Sequence, residues 1–457
     1  MSDPGHSSGC GSSGGYTTSD SEMEFSGGFP ESYQESVVEK IVAEAGAAVA
    51  NSAGNGAVAK DPAEFGAAAL IPAEDVGAAA NPAEEFVEEV EISTNDDSSS
   101  SFEGAHGVVA NPPANILEGV ELRTANDSSD FFEGAEKRIF ILFSRKDGAN
   151  WDQNCDLRQI PRESLETLLG LVNCRIISSI SNFEIDAYVL SESSLFIGKR
   201  YMVLKTCGNT TPLHCLQLLS SLVTRFTKFD AVESLYYSHK NFLRPELQTV
   251  PYRKFENEIE ILDTFLNQEN VSNYVLGSLS RECYYLYTFD ADFARNTFGR
   301  VTEQTLEVIM NKLDPEVMKI FTQKESTNGR VATLKSGIHQ IIPGMVIDDF
   351  LFEPCGYSMN GIMEDGSYMT IHITPERSFS FVSFETNVAL DSYREVVGRV
   401  VDLFNPERFM VTFFSEKMAG HDELNAMDIV GARWIRHDSQ YNRLDWTDLT
   451  YAYFAKF

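Results

Sequence analysis

The sequence predicts an α+β fold in which large antiparallel sheets carry helices on their outer faces. From residue 131 onward, ten short runs rich in β-branched and aromatic residues recur at fairly regular spacing, which is typical of strands. Five runs between them place apolar residues at i, i+3 and i+4, which is typical of amphipathic helices. Because strands and helices do not strictly alternate, antiparallel sheets are favoured over a parallel one.

The predicted elements follow one another in this order along the chain. The strand candidates are RIFILFS, RIISSI, AYVLSESSLFI, YMVLKTCG, ESLYYS, NYVLGSLS, CYYLYTF, SYMTIHITPE, SFSFVSFETN and RFMVTFF. The helix candidates are RESLETLLGLV, HCLQLLSSLVTRF, ENEIEILDTFL, EQTLEVIMNKL and SYREVVGRVVDLF. Within SYMTIHITPE, alternation places His372 on the face of Thr370 and Thr374, opposite Ile371 and Ile373. We therefore expect His372 on the polar face of its strand.

Residues 1–130 differ from the rest in composition, since they are mostly Ala, Gly, Ser, Asn and Glu. Such a segment cannot bury enough apolar surface to offset its ordering entropy, so we expect disorder. It holds 24 acidic and 3 basic residues, and so contributes −21 of the net charge of −32. That acidity argues against nucleic acid and anionic membranes as partners, because both need a basic surface.

Other features of the composition indicate a cytoplasmic protein without a metal site. No apolar stretch approaches the roughly 18 residues of a membrane span, and the first residues lack a basic head and an apolar run. The seven cysteines include no C-x-x-C pair, so reduced thiols are favoured over disulfides or zinc ligands. Residues 131–457 contain neither G-x-G-x-x-G nor G-x-x-x-x-G-K-[ST], and phosphate cradles of these types are not expected.

An imperfect repeat with a period of 30 residues spans the end of the acidic segment. Residues 90–105 and 120–135 share ten identities, including the run Phe-Glu-Gly-Ala at the end of each copy. The first copy continues as His106-Gly107 into low-complexity sequence, whereas the second continues as Glu136 into a predicted strand. We interpret the first copy as a duplicated remnant.

Three segments carry chemically active side chains: YVLSESSLF, LKTCG, and PCGYSMNG followed by TIHITPE. Taken singly, they are more typical of a polar strand end, a buried structural cysteine and a satisfied or solvated histidine than of a reactive site. Together with FFEGAEK, YYSHKNF, QTLEVIMNKLDP and SFETN, they occur in order over residues 131 to about 386. In this the chain resembles the eukaryotic S-adenosylmethionine decarboxylase proenzymes, which carry a pyruvoyl group made from their own chain.

The resemblance implies a four-layer αββα sandwich of two antiparallel sheets with about eight strands each, and an active site between the sheets or at their edge. Residues 131–457 would form this core, after an extension of residues 1–130. Cleavage between Glu192 and Ser193 would give a β chain, 1–192, and an α chain, 193–457. The activity implied is decarboxylation of S-adenosylmethionine to the aminopropyl donor for spermidine and spermine synthesis. The family includes both homodimers and monomers.

The resemblance also assigns roles in self-cleavage. The hydroxyl of Ser193 would attack the carbonyl of Glu192, and elimination from the resulting ester would leave a pyruvoyl group at residue 193. We expect a strained turn there, with a polarised carbonyl oxygen. Ser358 would form a hydrogen bond during ester formation, and His372 would be the base that removes the α-proton.

In the cleaved enzyme, Cys207 matches the family's proton donor, and a thiol is mostly protonated at neutral pH. Glu133 matches a position that assists substrate binding and catalysis, and Glu136 matches one that acts in processing. Phe132 and Phe352 match the rings that stack on adenine, for which core packing is the alternative. The substrate-binding positions implied are Phe132, Leu190, Phe352 and Glu376.

Animal members of the family bind putrescine in a buried acidic cluster. The matching positions here are Lys205, Ser238, Glu303, Thr305, Glu307 and Glu385. Two positions on the first strand differ, because Phe140 replaces an acid and Arg138 replaces an apolar residue, as in plant members that need no putrescine. Alternation puts Arg138 on the face of Glu136, so its guanidinium could reach the cluster and replace the diamine. The alternative is that Arg138 points to solvent and the site is merely weakened.

A second function remains open, namely a catalytically inactive paralogue that activates a partner decarboxylase. Such paralogues lose the self-cleaving serine or the proton donor. Both Ser193 and Cys207 are present here, which favours the enzyme.

Deletion of residues 1–128 tests which copy of the repeat belongs to the core. Cleavage and decarboxylation should stay within about two-fold of the full chain, because we expect the deleted segment to be disordered. Glu133→Gln should lower activity about ten-fold or more, whereas Glu103→Gln should leave it unchanged. Equal defects in the two glutamine variants, or loss of both activities on truncation, would contradict the assignment of the copies.

Overall fold

A computed structural model describes residues 131–146, 155–267, 270–292, 304–415, 418–445 and 447–457. The acidic extension and the first repeat copy lie outside these residues. The described strands are β1 Lys137–Ser144, β2 Ile176–Ser181, β3 Ile185–Leu190, β4 Ser193–Gly198, β5 Tyr201–Thr206, β6 Ala231–Lys240, β7 Val271–Gly277, β8 Cys283–Asp290, β9 Thr305–Asn311, β10 Val346–Leu351, β11 Tyr357–Ile362, β12 Tyr368–Thr374, β13 Phe381–Thr386, β14 Arg408–Ser415, β15 Ile429–Val430, β16 Trp434–Arg443 and β17 Asp448–Lys456. The described α-helices are α1 Arg162–Leu171, α2 Leu216–Phe226, α3 Phe255–Leu266, α4 Pro315–Lys319, α5 Gly329–Ser336, α6 Tyr393–Phe404 and α7 Met418–Asn425.

The strands form two sheets in which every pair of neighbours is antiparallel. Sheet A has eight strands in the order β2-β3-β4-β5-β1-β6-β8-β7. Sheet B has nine strands in the order β10-β11-β12-β13-β9-β14-β17-β16-β15. The predicted α+β fold with two large antiparallel sheets is therefore confirmed. Sheet A has the expected eight strands, and sheet B has nine.

The apolar side chains divide into layers that follow the alternation of the strands. Ile139 and Ile141 of β1 belong to a core shared with α1, α2 and α3, whereas Phe140 and Leu142 belong to a smaller core with Tyr368 of sheet B. On the other side, the strands of sheet B pack on α6 through Val396, Val400 and their neighbours. The order of layers is thus helices, sheet A, sheet B, helices, as the αββα prediction requires.

One predicted helix is wrong. The run EQTLEVIMNKL contains β9, which lies between β13 and β14 near the middle of sheet B. Every residue of β9 is buried. Apolar side chains therefore occur on both faces of the strand, and their spacing also fits a helix. A strand covered on both sides cannot be distinguished from a buried helix by periodicity alone.

Several elements were not predicted, and they are the ones with unusual composition. β11 contains Ser358, Asn360 and Gly361, which are not typical strand residues. β16 is largely polar, and its side chains alternate between exposed and partly buried. β10 and β17, the two-residue strand β15 and the short helices α4, α5 and α7 were also missed. Among the described helices, none is long and apolar enough to cross a membrane.

Candidate active site

Ser193 occupies a strained position directly after the hairpin turn between β3 and β4. Leu190 pairs with Ser193, so the turn consists of Ser191 and Glu192 alone. Ser193 has a φ of +111°, a conformation that costs a non-glycine residue roughly 1–3 kcal/mol. Since Ser193 is also buried, the surrounding structure holds this residue in a geometry it would not adopt by itself.

The hydroxyl of Ser193 donates a hydrogen bond to Glu136, not to Ser358. The distance from Ser193 Oγ to Glu136 Oε1 is 2.5 Å. The other carboxylate oxygen of Glu136 lies 3.2 Å from Nζ of Lys205. Burial would raise the pKa of Glu136, but Lys205 and His372 shift it below its usual value. Ser193 therefore faces an ionised carboxylate that can accept its proton.

The peptide bond between Glu192 and Ser193 lies against Cys207, which follows β5. The backbone N–H of Cys207 donates to the carbonyl oxygen of Glu192 at 3.3 Å. This donor would stabilise negative charge on that oxygen during an attack on the carbonyl carbon. The Cys207 thiol contacts Oε2 of Glu192 at 3.9 Å. Burial, followed by the charges of Glu192 and Glu136, raises the pKa of Cys207 well above its usual value, so the thiol keeps its proton.

His372 lies on the same face of β12 as Thr370, as the alternation predicts, and this face is buried against sheet A. Its Nδ1 is 2.9 Å from Oγ of Ser358, and its Nε2 is 3.8 Å from Oε1 of Glu136. Burial lowers the pKa of His372 to about 4, although Glu136 opposes this shift. The imidazole is therefore neutral at physiological pH and can act as a base.

A cavity of about 250 Å³ opens onto these residues. The peptide bond at 192–193, Cys207, Ser358 and His372 line its inner part. The outer part is formed by side chains suited to binding a flat heterocycle and hydroxyl groups, namely Phe132, Phe352 and Glu376. Oε2 of Glu376 is buried and has no hydrogen-bond partner among the described residues, so it can accept from a bound molecule.

Besides Glu136, which binds Ser193, two of the predicted catalytic and substrate-binding residues do not line this cavity. Oε2 of Glu133 accepts from the backbone N–H groups of Leu243 and Arg244 at 2.8 and 3.3 Å, which directs the carboxylate toward that loop. Leu190 is fully buried in the core beneath the hairpin. Both positions support the walls of the site. Their contact with a substrate remains a prediction.

Between Glu133 and Glu136, the chain passes so close to sheet B that residue 134 must be glycine. A Cβ atom on Gly134 would lie 2.6 Å from Cβ of Phe381, which is too close for any real contact. On either side of this close approach, Phe132 lines the cavity and Glu136 accepts from the hydroxyl of Ser193.

A group of buried charges that includes Glu136 lies between the sheets, and we call it the intersheet ion cluster. Its members are Glu136, Arg138, Lys205, Glu307 and Glu385. Nζ of Lys205 lies 2.6 Å from Glu385 and 3.0 Å from Glu307. Arg138 does not point to solvent, since its Nε lies 3.1 and 3.0 Å from the two carboxylate oxygens of Glu385.

Further hydroxyl groups complete this cluster. Oγ1 of Thr305 is 3.5 Å from Nη2 of Arg138, and Oη of Tyr284 is 2.7 Å from Oγ of Ser238 and 3.1 Å from Oε2 of Glu307. Tyr368 donates to Glu385. The two tyrosines were missed in the sequence because aromatic residues in strands ordinarily indicate core packing. Glu303 lies outside the described residues.

Ser194, Asn360 and Thr370 were also missed, and they contact His372 or each other behind the imidazole. Alternation along β12 places Thr370 beside His372, which was the available signal. Ser194 and Asn360 come from other strands and are brought there only by the fold. Among the described residues, no group of three or more His, Cys, Asp or Glu side chains could hold a metal ion.

Comparison with known proteins places these residues in a wider context. Residues 129–455 match a family model described as adenosylmethionine decarboxylase. The S-adenosylmethionine decarboxylase proenzyme of Drosophila melanogaster is 46% identical over 318 residues, which cover 67% of this chain and 90% of that protein. The S-adenosylmethionine decarboxylase proenzyme of Ipomoea nil is 36% identical over 306 residues, which cover 65% of this chain and 82% of that protein. A crystal structure of a Trypanosoma brucei AdoMetDC-delta26 monomer matches at 25% identity and a TM-score of 0.45, and the match covers 57% of this chain and 99% of that one.

Proposed function

The chain belongs to the adenosylmethionine decarboxylase family, and we infer from this membership and from the site that it decarboxylates S-adenosylmethionine after cleaving itself between Glu192 and Ser193. The observation that carries the cleavage is the geometry of Ser193. This buried serine is strained, its hydroxyl lies 2.5 Å from a carboxylate, and the adjacent carbonyl accepts a backbone hydrogen bond. The product supplies the aminopropyl group for spermidine and spermine.

Cleavage begins when Oγ of Ser193 attacks the carbonyl carbon of Glu192. Glu136 accepts the hydroxyl proton, and the N–H of Cys207 stabilises the oxyanion. As the C–O bond forms and the C–N bond breaks, the proton passes to the leaving amine and an ester results. Relief of the positive φ at Ser193 favours this step, because the strained peptide bond no longer exists.

Elimination then divides the chain. Neutral His372 removes the α-proton of residue 193. The bond between Cβ of residue 193 and the ester oxygen breaks, and this oxygen leaves as part of the new C-terminal carboxylate of Glu192. The dehydroalanine left behind takes up water and loses ammonia, which gives a pyruvoyl group. Ser358, hydrogen-bonded to His372 at 2.9 Å, orients the imidazole toward the cavity that both residues line.

The residues around position 193 fit such a group. It supplies a keto carbon that condenses with the substrate amino group and withdraws electrons as carbon dioxide leaves. The substrate α-carbon must afterwards receive a proton. Cys207 lines the same cavity and keeps its thiol proton, so we assign it as the donor.

The outer cavity provides the binding groups for the nucleoside. Phe132 and Phe352 present rings for the adenine and for the sulfonium charge. The unpartnered oxygen of Glu376 can accept from the ribose hydroxyls. The alternative function, an inactive activator of a partner enzyme, has no observation in its favour, since Ser193, Cys207 and His372 are all in place.

We further propose that the intersheet ion cluster makes putrescine unnecessary. Two cations, Arg138 and Lys205, already lie among its three carboxylates. Burial raises the pKa of Glu307, although the charge of Lys205 opposes this shift. The raised pKa favours the neutral form of this carboxyl. Burial acts in the same direction on Glu385, but Arg138 and Lys205 outweigh it and lower its pKa to about 2. The cluster already holds two cations against three carboxylates, so a doubly charged diamine would bring an excess of positive charge.

Separate variants of Ser193 and Cys207 distinguish cleavage from turnover. Ser193→Ala should remain one chain and be inactive, because the attacking hydroxyl is lost. Cys207→Ala should still cleave, at least partly, but release carbon dioxide about 10²-fold more slowly, because the proton donor is lost. Intact mass and carbon dioxide release measure the two outcomes. Substantial turnover by a cleaved Cys207→Ala protein would remove Cys207 from its role, and an uncut parent chain would contradict the enzyme.

The pKa of His372 predicts how self-cleavage depends on pH. A base with the usual pKa of 6.5 would be about one-tenth neutral at pH 5.5, whereas His372 stays neutral. The first-order cleavage rate should therefore change by less than about three-fold from pH 8 to pH 5.5.

Thermal unfolding at each pH is the control for that experiment. The unfolded chain binds a proton at His372 below pH 6.5 and the folded chain does not, so this group lowers stability as the pH falls toward 4. A rate that falls by half near pH 6.5 and about ten-fold by pH 5.5, in protein that is still folded, would show that the base has an ordinary pKa.

Putrescine should stimulate the enzyme weakly or not at all. Initial rates of carbon dioxide release, at subsaturating substrate and constant ionic strength, should change by less than about two-fold with millimolar putrescine. Arg138→Leu removes the built-in cation and leaves Glu385 with less compensation, so this variant should gain a response to putrescine. Several-fold stimulation of the parent enzyme would show that the cluster still requires a diamine.

A further inference from the structure

Asn360 lies at the centre of a hydrogen-bond network behind His372. It is in the middle of β11, opposite Thr370 of β12, and is fully buried. Its Oδ1 accepts from Ser194 Oγ at 2.7 Å and from Thr370 Oγ1 at 2.9 Å. Its Nδ2 has no hydrogen-bond partner in the described part of the chain. The amide thus presents its acceptor, and not its donors, to the two hydroxyl groups.

The same two hydroxyl groups contact the imidazole. Nε2 of His372 lies 3.1 Å from Ser194 Oγ and 2.8 Å from Thr370 Oγ1. Thr370 Oγ1 is also 3.0 Å from the backbone carbonyl of Met359. Each hydroxyl has one proton, and carbonyl oxygens can only accept. The proton of Ser194 therefore points to Asn360, and that of Thr370 to Asn360 or Met359, which leaves lone pairs facing Nε2.

The other ring nitrogen, Nδ1, contacts Ser358 at 2.9 Å. A proton on Nε2 satisfies both hydroxyl oxygens and lets Ser358 donate to Nδ1. A proton on Nδ1 would instead leave Nε2 as an acceptor, which would take a hydroxyl proton away from Asn360 or Met359 and would turn the Nε2 lone pair toward Oε1 of Glu136, 3.8 Å away. The ring carries one proton, because burial keeps His372 neutral.

We propose that Asn360 is a positioning residue that fixes His372 as its Nε2–H tautomer, with the basic nitrogen, Nδ1, directed at Ser358. The proton that His372 removes during elimination then arrives at Nδ1, the nitrogen that lies 2.9 Å from Ser358, and Ser358 lines the same cavity as Ser193. The importance of this tautomer for cleavage rests on the proposed function. The tautomer itself can be measured in uncut protein.

The experiment uses the full chain with Ser193→Ala, labelled with ¹⁵N-histidine. Long-range ¹H–¹⁵N spectra distinguish the two tautomers, and the signals of His372 are those lost in the additional variant His372→Gln. The expected result near pH 7.5 is protonated Nε2 and unprotonated Nδ1. A protonated Nδ1 would mean that the amide of Asn360 turns its NH₂ group toward the hydroxyls, and would overturn the proposal.

Asn360→Leu in this background removes the acceptor for Ser194, whose proton then turns to Nε2, so the ring proton should move to Nδ1. Adding Ser194→Ala removes that misdirected donor, and the Nε2–H tautomer should return, with Thr370 as its acceptor. Asn360→Ala, which avoids overpacking, should act in the same direction as Asn360→Leu. Unfolding temperatures identify which variants are folded, and an unchanged tautomer in the folded Asn360 variants would overturn the proposal.

A kinetic measurement links the tautomer to the reaction. In the chain with Ser193 intact, Asn360→Leu or Asn360→Ala should slow self-cleavage at least about ten-fold. Unchanged cleavage in a variant whose tautomer has shifted would overturn the role of Asn360. An uncut parent chain would instead overturn the proposed function, and the tautomer in the Ser193→Ala protein would still stand as measured.

Discussion

The ion pairs of Lys205 hold the two sheets in one relative position, and the site depends on that position. Lys205 is in β5 of sheet A and is fully buried. Its Nζ lies within 3.2 Å of Glu136 in the same sheet and of Glu307 and Glu385 in the other. An unpaired buried charge costs several kcal/mol, so a shift of one sheet past the other would be penalised. The same contact fixes Glu136, which accepts the hydroxyl of Ser193.

The reactive groups are assembled from both sheets around this point. Sheet A contributes the strained hairpin with Ser193, and also Cys207 after β5. Sheet B contributes Ser358 and His372 on adjacent strands. All these groups are buried, so burial and neighbouring charges set their protonation states. Lys205 keeps Glu136 ionised, and burial keeps His372 neutral. Burial and the charge of Glu192 keep Cys207 protonated. One site therefore holds a base and an acid that do not neutralise each other.

The sequence predicted much of this arrangement, and its errors have a common cause. The place of His372 on the polar face of β12 follows from local alternation, and the large antiparallel sheets follow from the recurrence of strand patterns. The run AYVLSESSLFI was predicted as one strand, but it forms a hairpin of β3 and β4. β9 was predicted as a helix because it is buried on both faces, where the two-residue period disappears. Asn360 and Tyr284 were missed because neither residue type indicates a site by itself, and each gains its role from a partner in another strand.

The sequence by itself determined the identity of the reactive groups, since ordered motifs from Phe131 onward contain the serine, the thiol, the histidine and the carboxylates. Only the tertiary structure decided which of them meet. It paired Ser193 with Glu136 and not with Ser358, turned Glu133 away from the cavity, and brought Arg138 to Glu385 across the sheets. The physical reason is that hydrogen bonds and buried charges act over about 3 Å. Such contacts are fixed by the register and packing of strands that lie far apart in the chain.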